Sequence, residues 1–232
     1  MKDPLPPTAR RLAAGPCRGP RLVTLDLFSA LIDSRTGGSA ALARITGGRG
    51  ERLYDVWDTA NKASQRDEPT WVPFAEHCRR ALASAYAGLG IDRDTDADTT
   101  ALLDSVGEWP LWPDVLDGLP ALAARGPVGV LSNVDDAVFA RTRVAPLVDD
   151  AHVLTSERLR AYKPAPELYL RARECAGGRL VHVATSARDV RGALAADIGV
   201  IRLRRPGHQL DPRGGTPQVE AADLFEVARL LS

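Results

Sequence analysis

Short apolar runs alternate with longer amphipathic segments through most of the chain. The runs have the length and the continuous hydrophobicity of strands that are covered on both faces. They lie at 22–27, 128–131, 152–154, 180–184 and 199–203. Apolar residues recur at spacings of three and four, as in helices, at 134–143, 164–175, 187–196 and 221–231. This alternation predicts an α/β fold with a Rossmann-like, doubly wound parallel sheet.

A long interval separates the first predicted strand from the second. Three further helical patterns fill it, near 38–66, 71–89 and 96–107. A crossover connection needs far fewer residues, so we expect an α-helical cap at 36–111, inserted into a core domain made of 21–35 and 112–232. A cap above the carboxyl ends of the strands would close over a small ligand. Residues 1–20 are rich in Pro, Arg and Gly and predict a mobile N-terminal arm.

The composition is that of an ordinary globular protein, with 232 residues of which 44% are hydrophobic and 26% charged. Lys and Arg balance Asp and Glu at 30 each, which argues against nucleic acid as a partner. No apolar run approaches the roughly 18 residues of a membrane span, so we expect no membrane partner. Cys17, Cys78 and Cys175 lie far apart, which predicts neither disulfides nor a zinc site and favours the cytoplasm. The expected partner is a small-molecule substrate, and a homodimer fits base rates.

Polar side chains follow the predicted strands at the points where the strands end. They are Asp26, Ser132 with Asn133, Lys163 and Asp189. Any one of them alone is better explained as a capping or solvated residue. Because the carboxyl ends of parallel strands meet at one crevice, we expect two carboxylates, a hydroxyl and an ammonium to share a site.

The order and the flanks of these residues resemble the haloacid dehalogenase superfamily. The motifs read LVTLDLFSALIDS, VGVLSNVDD, RAYKPAPELY and VHVATSARDVRGALAADIGV, and the resemblance covers roughly residues 21–231. It implies a Rossmann-like core with a cap. It also implies a hydrolase with Asp26 as the nucleophile and Ser132, Lys163 and Asp189 as the other catalytic residues.

The residue two positions after Asp26 separates two branches of that superfamily. Its phosphatases have a second Asp there, which protonates the leaving alcohol, whereas this chain has Phe28, which cannot transfer a proton. The phosphatases also keep an Asp at the position of Ala184 to help hold magnesium, and alanine offers no oxygen ligand. An aromatic residue is similar to the L-2-haloacid dehalogenases, in which aspartate displaces halide and water hydrolyses the ester. The resemblance therefore implies carbon–halogen hydrolysis without a metal ion or another cofactor.

The dehalogenase branch also implies roles for the residues around Asp26. Lys163 would place a positive charge beside the nucleophile, and Asp189 would orient that lysine. The residues implied to contact the substrate are Phe28, Ser132, Asn133 and Tyr169. Ordinary helix packing is an equal alternative for Tyr169.

Several positions depart from the dehalogenase pattern. Ser29-Ala30 replaces Gly-Thr, which removes a hydroxyl beside the nucleophile. Ala184 and Ser186 replace the Ser and Asn that help to place the hydrolytic water. Thr185 and Ser186 are the candidate substitutes.

The cap arginine of the dehalogenases, which follows a tryptophan and assists the substrate carboxylate or the halide, aligns with Asp58. Lys62 lies one helical turn later, and Arg35 lies near the start of the predicted cap, so both are candidates for the missing cation. The alternative for Lys62 is an exposed ion pair with Asp58. We therefore expect a substrate specificity that differs from that for simple 2-haloacids.

Two other functions are open at this point. One is a magnesium-dependent small-molecule phosphatase with degenerate motifs, in which Asp26 is phosphorylated and Asp189 binds magnesium. The other is a catalytically inactive protein with a binding or regulatory role, favoured by the lost hydroxyl and the lost cap arginine. An unused buried charge cluster is costly to keep, which argues against the inactive protein. For His77 and His182 we expect packing rather than metal binding.

Overall fold

The computed structural model describes residues 21–68, 70–212 and 214–231, and within them six parallel strands form one sheet. In chain order the strands are β1 (Leu22–Leu25), β2 (Val128–Ser132), β3 (Val153–Thr155), β4 (Leu180–Ala184), β5 (Gly199–Leu203) and β6 (Val219–Ala221). Their spatial order is β3-β2-β1-β4-β5-β6. This sheet confirms the predicted α/β fold. The N-terminal arm predicted at 1–20, with Cys17, lies outside the described residues.

The strand order places a switch point between β1 and β4. The chain adds β2 and β3 on one side of β1 and then returns to add β4, β5 and β6 on the other. Val23 of β1 pairs with Val128 on one side and with Val181 on the other. Crevices at such switch points are the usual ligand sites of open parallel sheets.

Five of the described α-helices lie between β1 and β2 in the chain. The first four are α1 (Ser34–Thr46), α2 (Gly50–Asp67), α3 (Phe74–Leu89) and α4 (Thr95–Asp104). The remaining helices are α5 (Val115–Ala123), α6 (Asp136–Arg141), α7 (Ser156–Leu159), α8 (Pro166–Cys175), α9 (Ala187–Ala195) and α10 (Leu224–Leu230). No helix in this described part of the chain is long and apolar enough to cross a membrane.

Two helical patterns of the sequence fold differently from the prediction. The segment 38–66 forms two helices rather than one, because Gly47 and Gly48 turn the chain with φ values of +72° and +145°. Glycine adopts such positive φ values without the strain that a side chain would cause. The segment 221–231 contributes its first residue to β6, a strand of three residues that the pattern did not predict.

Helices α1–α4 are tied to the sheet by hydrogen bonds at the start of α3. Asp135, in the loop after β2, accepts from Phe74 N at 2.7 Å and from Ala75 N at 2.8 Å, so its carboxylate caps α3. Tyr162 Oη donates to Val72 O at 2.7 Å, just before the same helix. These contacts hold the four helices over the carboxyl ends of the strands. The cap boundaries of 36–111 stay a prediction.

Candidate active site

Asp26 begins a tight turn directly after the central strand β1. Its backbone N–H donates to Val183 O at 3.1 Å, and Leu27–Leu31 then form a single π-helical turn. Asp26 Oδ2 accepts hydrogen bonds from Ser29 N at 3.0 Å and from Ser29 Oγ at 2.5 Å. The expected loss of a hydroxyl beside the nucleophile is therefore wrong, because Ser29 supplies one from the position before Ala30.

The ammonium group of Lys163 joins the two carboxylates of the site. Its Nζ lies 2.9 Å from Asp26 Oδ1 and 2.6 Å from Asp189 Oδ2. Burial by itself lowers the pKa of Lys163, but the negative charges of Asp189 and Asp26 outweigh it, so the pKa lies above its usual value. Lys163 therefore carries its charge at neutral pH although its side chain is buried.

Asp189, in the first turn of α9, is held by three donors. Its Oδ1 accepts from Tyr169 Oη at 2.7 Å, and its Oδ2 accepts from His182 Nε2 at 3.0 Å as well as from Lys163. Burial by itself raises the pKa of Asp189, but His182 and Lys163 more than offset it, so the pKa lies well below its usual value. A buried carboxylate with this many donors stays ionised and fixes the lysine beside it.

His182 completes this network, although the sequence analysis assigned it only to packing. Because a carboxylate can only accept, the contact with Asp189 makes His182 Nε2 the donor. In the neutral imidazole Nδ1 then accepts from Thr24 Oγ1, which lies 3.0 Å away. Thr24 and His182 face each other in the register of β1 and β4. Two polar residues in otherwise apolar strands were the available sequence signal.

We expect Thr24→Val to lower the free energy of unfolding by about 1–3 kcal/mol, because the substitution leaves the buried Nδ1 of His182 without its donor. Valine has nearly the shape of threonine, so packing changes little. Urea denaturation at neutral pH measures the effect. Thr100→Val is the matched control, since the Thr100 hydroxyl is exposed on α4 and donates to Asp96 O of the same helix. Equal stability of Thr24→Val and the wild type would contradict this role.

The end of β2 brings Ser132 and Asn133 to the same crevice. Asn133 Nδ2 donates to Gln65 Oε1 at 2.8 Å and to Lys163 O at 3.2 Å, while Oδ1 accepts from Lys163 N at 2.7 Å. Both amide hydrogens of Asn133 are thus used within the protein. Asn133 therefore positions the backbone of Lys163, and because it also lines the cavity above these strand ends, its contact with a substrate stays a prediction.

A cavity of about 620 Å³ lies above these strand ends. Asp26, Ser132 and Lys163 line its polar part. Aromatic side chains line another part, namely Phe28, Tyr54, Trp57, Phe74, Trp109 and Trp112. The ring centroid of Phe28 lies 6.1 Å from that of Phe74 and 5.7 Å from that of Trp109. A charged carboxylate thus faces a space whose size and apolar walls suit a small organic molecule.

Solved structures share this architecture. The L-2-haloacid dehalogenase of Xanthobacter autotrophicus, solved with chloropropionic acid covalently bound, is 20% identical, with a TM-score of 0.80 over 91% of this chain and 98% of that chain. A defluorinating L-2-haloacid dehalogenase is 24% identical, with a TM-score of 0.79 over 92% of this chain and 96% of that chain. The chain has the fold of the L-2-haloacid dehalogenases. No protein-family model and no curated protein matches the sequence.

The dehalogenase fold also occurs in a HAD-hydrolase of Bacillus subtilis solved with magnesium, which is 16% identical, with a TM-score of 0.71 over 91% of this chain and 98% of that chain. The residues of this chain do not suit magnesium. Ala184 ends β4 with a methyl group, and Lys163 already bridges Asp26 and Asp189. Within residues 21–68, 70–212 and 214–231, no three His, Cys, Asp or Glu side chains group as metal ligands. A magnesium-dependent phosphatase would thus have to hold its metal ion without a carboxylate at the end of β4.

Two predicted substrate-binding residues lie behind the cavity wall. Tyr169 and Thr185 are fully buried and do not line the cavity. Tyr169 supports Asp189, and Thr185 Oγ1 donates to Leu203 O at 2.9 Å. Their prediction as substrate contacts is corrected by this placement. Ser186 does line the cavity, where its Oγ accepts from Asp189 N at 3.3 Å.

The two cations predicted to replace the cap arginine line the cavity but already have partners. Arg35 donates to Asp55 through Nε at 3.1 Å and through Nη2 at 3.0 Å. Lys62 donates to Asp58, as the ion-pair alternative expected. Both pairs are substantially exposed, so each is worth little to stability.

Arg188 and His208 also line the cavity, and the sequence analysis did not single them out. Arg188 lies inside the fourth motif, directly before Asp189, so its place in that motif was the available sequence signal. His208 comes from the loop after β5, and no local pattern marks that loop as part of the site. Burial, followed by the charge of Lys62, lowers the pKa of His208, while Asp26 opposes the shift. His208 is therefore neutral at pH 7.

Proposed function

We propose that this protein is a metal-independent hydrolase of the haloacid dehalogenase type, in which Asp26 displaces halide from carbon. The setting of Asp26 carries the proposal. Lys163 and Ser29 hold its carboxylate beside an aromatic cavity. Phe28 has no proton to give, so the leaving group must depart unprotonated. Halide meets that condition, whereas an alkoxide does not.

The first step forms an ester. One carboxylate oxygen of Asp26 attacks the carbon that bears the halogen, and the electrons of the carbon–halogen bond leave with the halide. Lys163 and Ser29 donate to different oxygens of Asp26, so the carboxylate is oriented before reaction. Phe28 and Trp109 offer apolar surface to the alkyl part of the substrate.

The second step hydrolyses that ester. Water adds to the ester carbonyl carbon of Asp26, which releases the hydroxylated product, a proton and the free carboxylate. The oxygen that did not attack keeps its donor, either Lys163 or Ser29, and that donor stabilises the negative charge developing on it. We assign water placement to Ser186, whose hydroxyl lies beside Asp189 on the cavity wall.

We assign the shape of the cavity to the cap predicted at 36–111. Trp57 and Gln65 of α2 and Trp109 before β2 line the same cavity as Asp26. Substrate size would therefore be set by side chains that do not take part in the covalent steps.

The test is halide release from 2-bromopropionate in excess EDTA, with the intact mass of the protein followed in the same sample. We expect release that added magnesium does not change, and a transient mass increase equal to esterification. Release that is absent in EDTA and restored by magnesium would contradict the proposal. Absence of both halide and adduct would favour a substrate other than a simple 2-haloacid, a magnesium-dependent phosphatase or a binding role.

A further inference from the structure

Among the described residues that line the cavity, one positively charged side chain has no carboxylate partner within 4.0 Å. The cationic side chains among its described lining residues are Arg35, Lys62, Lys163 and Arg188. The first three contact the carboxylates of Asp55, Asp58, Asp26 and Asp189. No carboxylate oxygen of the described chain lies within 4.0 Å of the guanidinium nitrogens of Arg188. Asp189 and Asp58 act on this charge only from a longer range.

Backbone carbonyls hold the guanidinium of Arg188 in place. Its Nη2 donates to Lys163 O, and its Nη1 donates to Lys62 O at 3.3 Å. Arginine has five N–H donors, so these two bonds leave others for a ligand. Carbonyl groups orient a cation but carry no net charge to balance it. The guanidinium is therefore positioned without being neutralised.

Burial makes this arrangement unfavourable when the cavity holds only water. Arg188 is half-buried, and burial lowers its pKa despite the opposing influence of Tyr169 and Asp189. A desolvated charge that is not paired costs free energy, and a bound anion removes that cost. The Arg188 site is thus electrostatically complementary to an anionic ligand.

The surroundings favour a monoanion that is planar. The carboxylates lining the cavity are Asp26, Asp33, Asp55, Asp58 and Asp189, one more than the cations. A dianion such as phosphate would meet repulsion of about 4 kcal/mol for each pair of unit charges at 4 Å and an effective dielectric constant near 20. A carboxylate carries half that charge and matches the fork of a guanidinium. Arg188 is next to Asp189 in the chain, and Lys163 forms ion pairs with both Asp189 and Asp26. A ligand bound by Arg188 would therefore lie in the same cavity as Asp26.

We propose that Arg188 is the residue that selects the substrate by binding its carboxylate group, from α9 at the sheet rather than from α2 in the cap. The catalytic part of this inference rests on the proposed function, whereas the binding of a carboxylate does not. Small monocarboxylates are the ligand class that follows.

The test is a calorimetric titration of the full-length protein with propionate, which carries no leaving group. We expect propionate to bind the wild type and propionamide not to bind. Arg188→Gln should weaken propionate binding at least about tenfold, since hydrogen bonds to charged groups are lost, and Arg188→Lys should lie between the two. Arg191→Gln is the matched control, because Arg191 lies on the same helix, is exposed and pairs with Asp211. Its propionate binding should equal that of the wild type.

Three results would overturn the inference. In the first, the wild type and Arg188→Gln bind propionate equally well. In the second, the wild type binds propionate and propionamide equally well. In the third, the wild type binds inorganic phosphate more tightly than propionate. If Arg188→Gln fails to fold, the propionamide comparison and Arg188→Lys still decide. If the protein releases no halide but binds propionate in a way that depends on Arg188, the proposed function is refuted and this inference stands.

Discussion

Asp26→Asn is expected to abolish halide release, with a loss of at least about 10⁴-fold, because the amide is not a nucleophile of comparable strength. The fold should survive, since Lys163 keeps its contact with Asp189 at 2.6 Å. The measurement is halide release from 2-bromopropionate together with intact mass, which should show no ester adduct. Thermal unfolding of the same sample should show a folded protein.

Asp117→Asn is the matched control for Asp26→Asn, because Asp117 is exposed on α5, away from the cavity. It should release halide at the wild-type rate. Full activity of Asp26→Asn on a substrate that the wild type turns over would exclude the aspartyl-ester mechanism. Loss of activity in both variants would point to a general effect of the substitution rather than to the nucleophile.

Lys163→Met is expected to abolish turnover and to destabilise the fold by about 3–5 kcal/mol, because it leaves two carboxylates without the cation they share. Asp26 and Asp189 would then face each other in a buried site. Urea denaturation measures the stability, and halide release measures the activity. A fully stable Lys163→Met variant would contradict the electrostatic role given to this lysine.

Removing Asp189 together with Lys163 separates charge balance from loss of the side chain. In the double variant Lys163→Met, Asp189→Asn, only Asp26 remains ionised of the three charged groups. We expect the double variant to be less destabilised than the sum of the two single variants, by about 0.5–3 kcal/mol of coupling energy. Activity should stay lost, because Asp26 has no ammonium beside it. Strict additivity would show that the groups do not interact.

The buried hydrogen-bond network balances the charges of the candidate active site. Asp189 receives three donors, one each from Lys163, Tyr169 and His182. Such a fully satisfied carboxylate presents the lysine to Asp26 in one orientation. Thr24 extends the same chain of hydrogen bonds into the next strand. The carboxylate of Asp26 is thus positioned by residues that do not line the cavity, namely Tyr169, His182 and Thr24, acting through Asp189 and Lys163.

The local pattern of hydrophobic residues was sufficient to predict the parallel sheet and the polar residues at its carboxyl edge. Strands buried on both faces must be continuously apolar, so five of the six strands appear in the sequence as short runs. A carboxylate or hydroxyl after such a run stands out, and parallel strands carry their ends to one edge. Lys163 lies beyond both β3 and α7, so its motif rather than a strand end marked it. Asp26, Ser132, Lys163 and Asp189 could therefore be placed together before any coordinates, and the contacts among three of them agree. The strand β6 was missed because three residues carry too little pattern.

The pattern of hydrophobic and polar residues did not predict the direction of every side chain or its partners, because these depend on how the whole chain packs. The hydroxyl beside Asp26 comes from Ser29, which the turn at Leu27–Leu31 brings back to the Asp26 carboxylate. Tyr169 lies behind the cavity wall through packing that spacing alone does not specify. The ion pair of Lys62 with Asp58 was one of two alternatives that the spacing left open, and the structure decided between them. Arg188 is distinguished by the absence of a carboxylate partner among the described residues, and only the folded chain shows which charges lack such a partner.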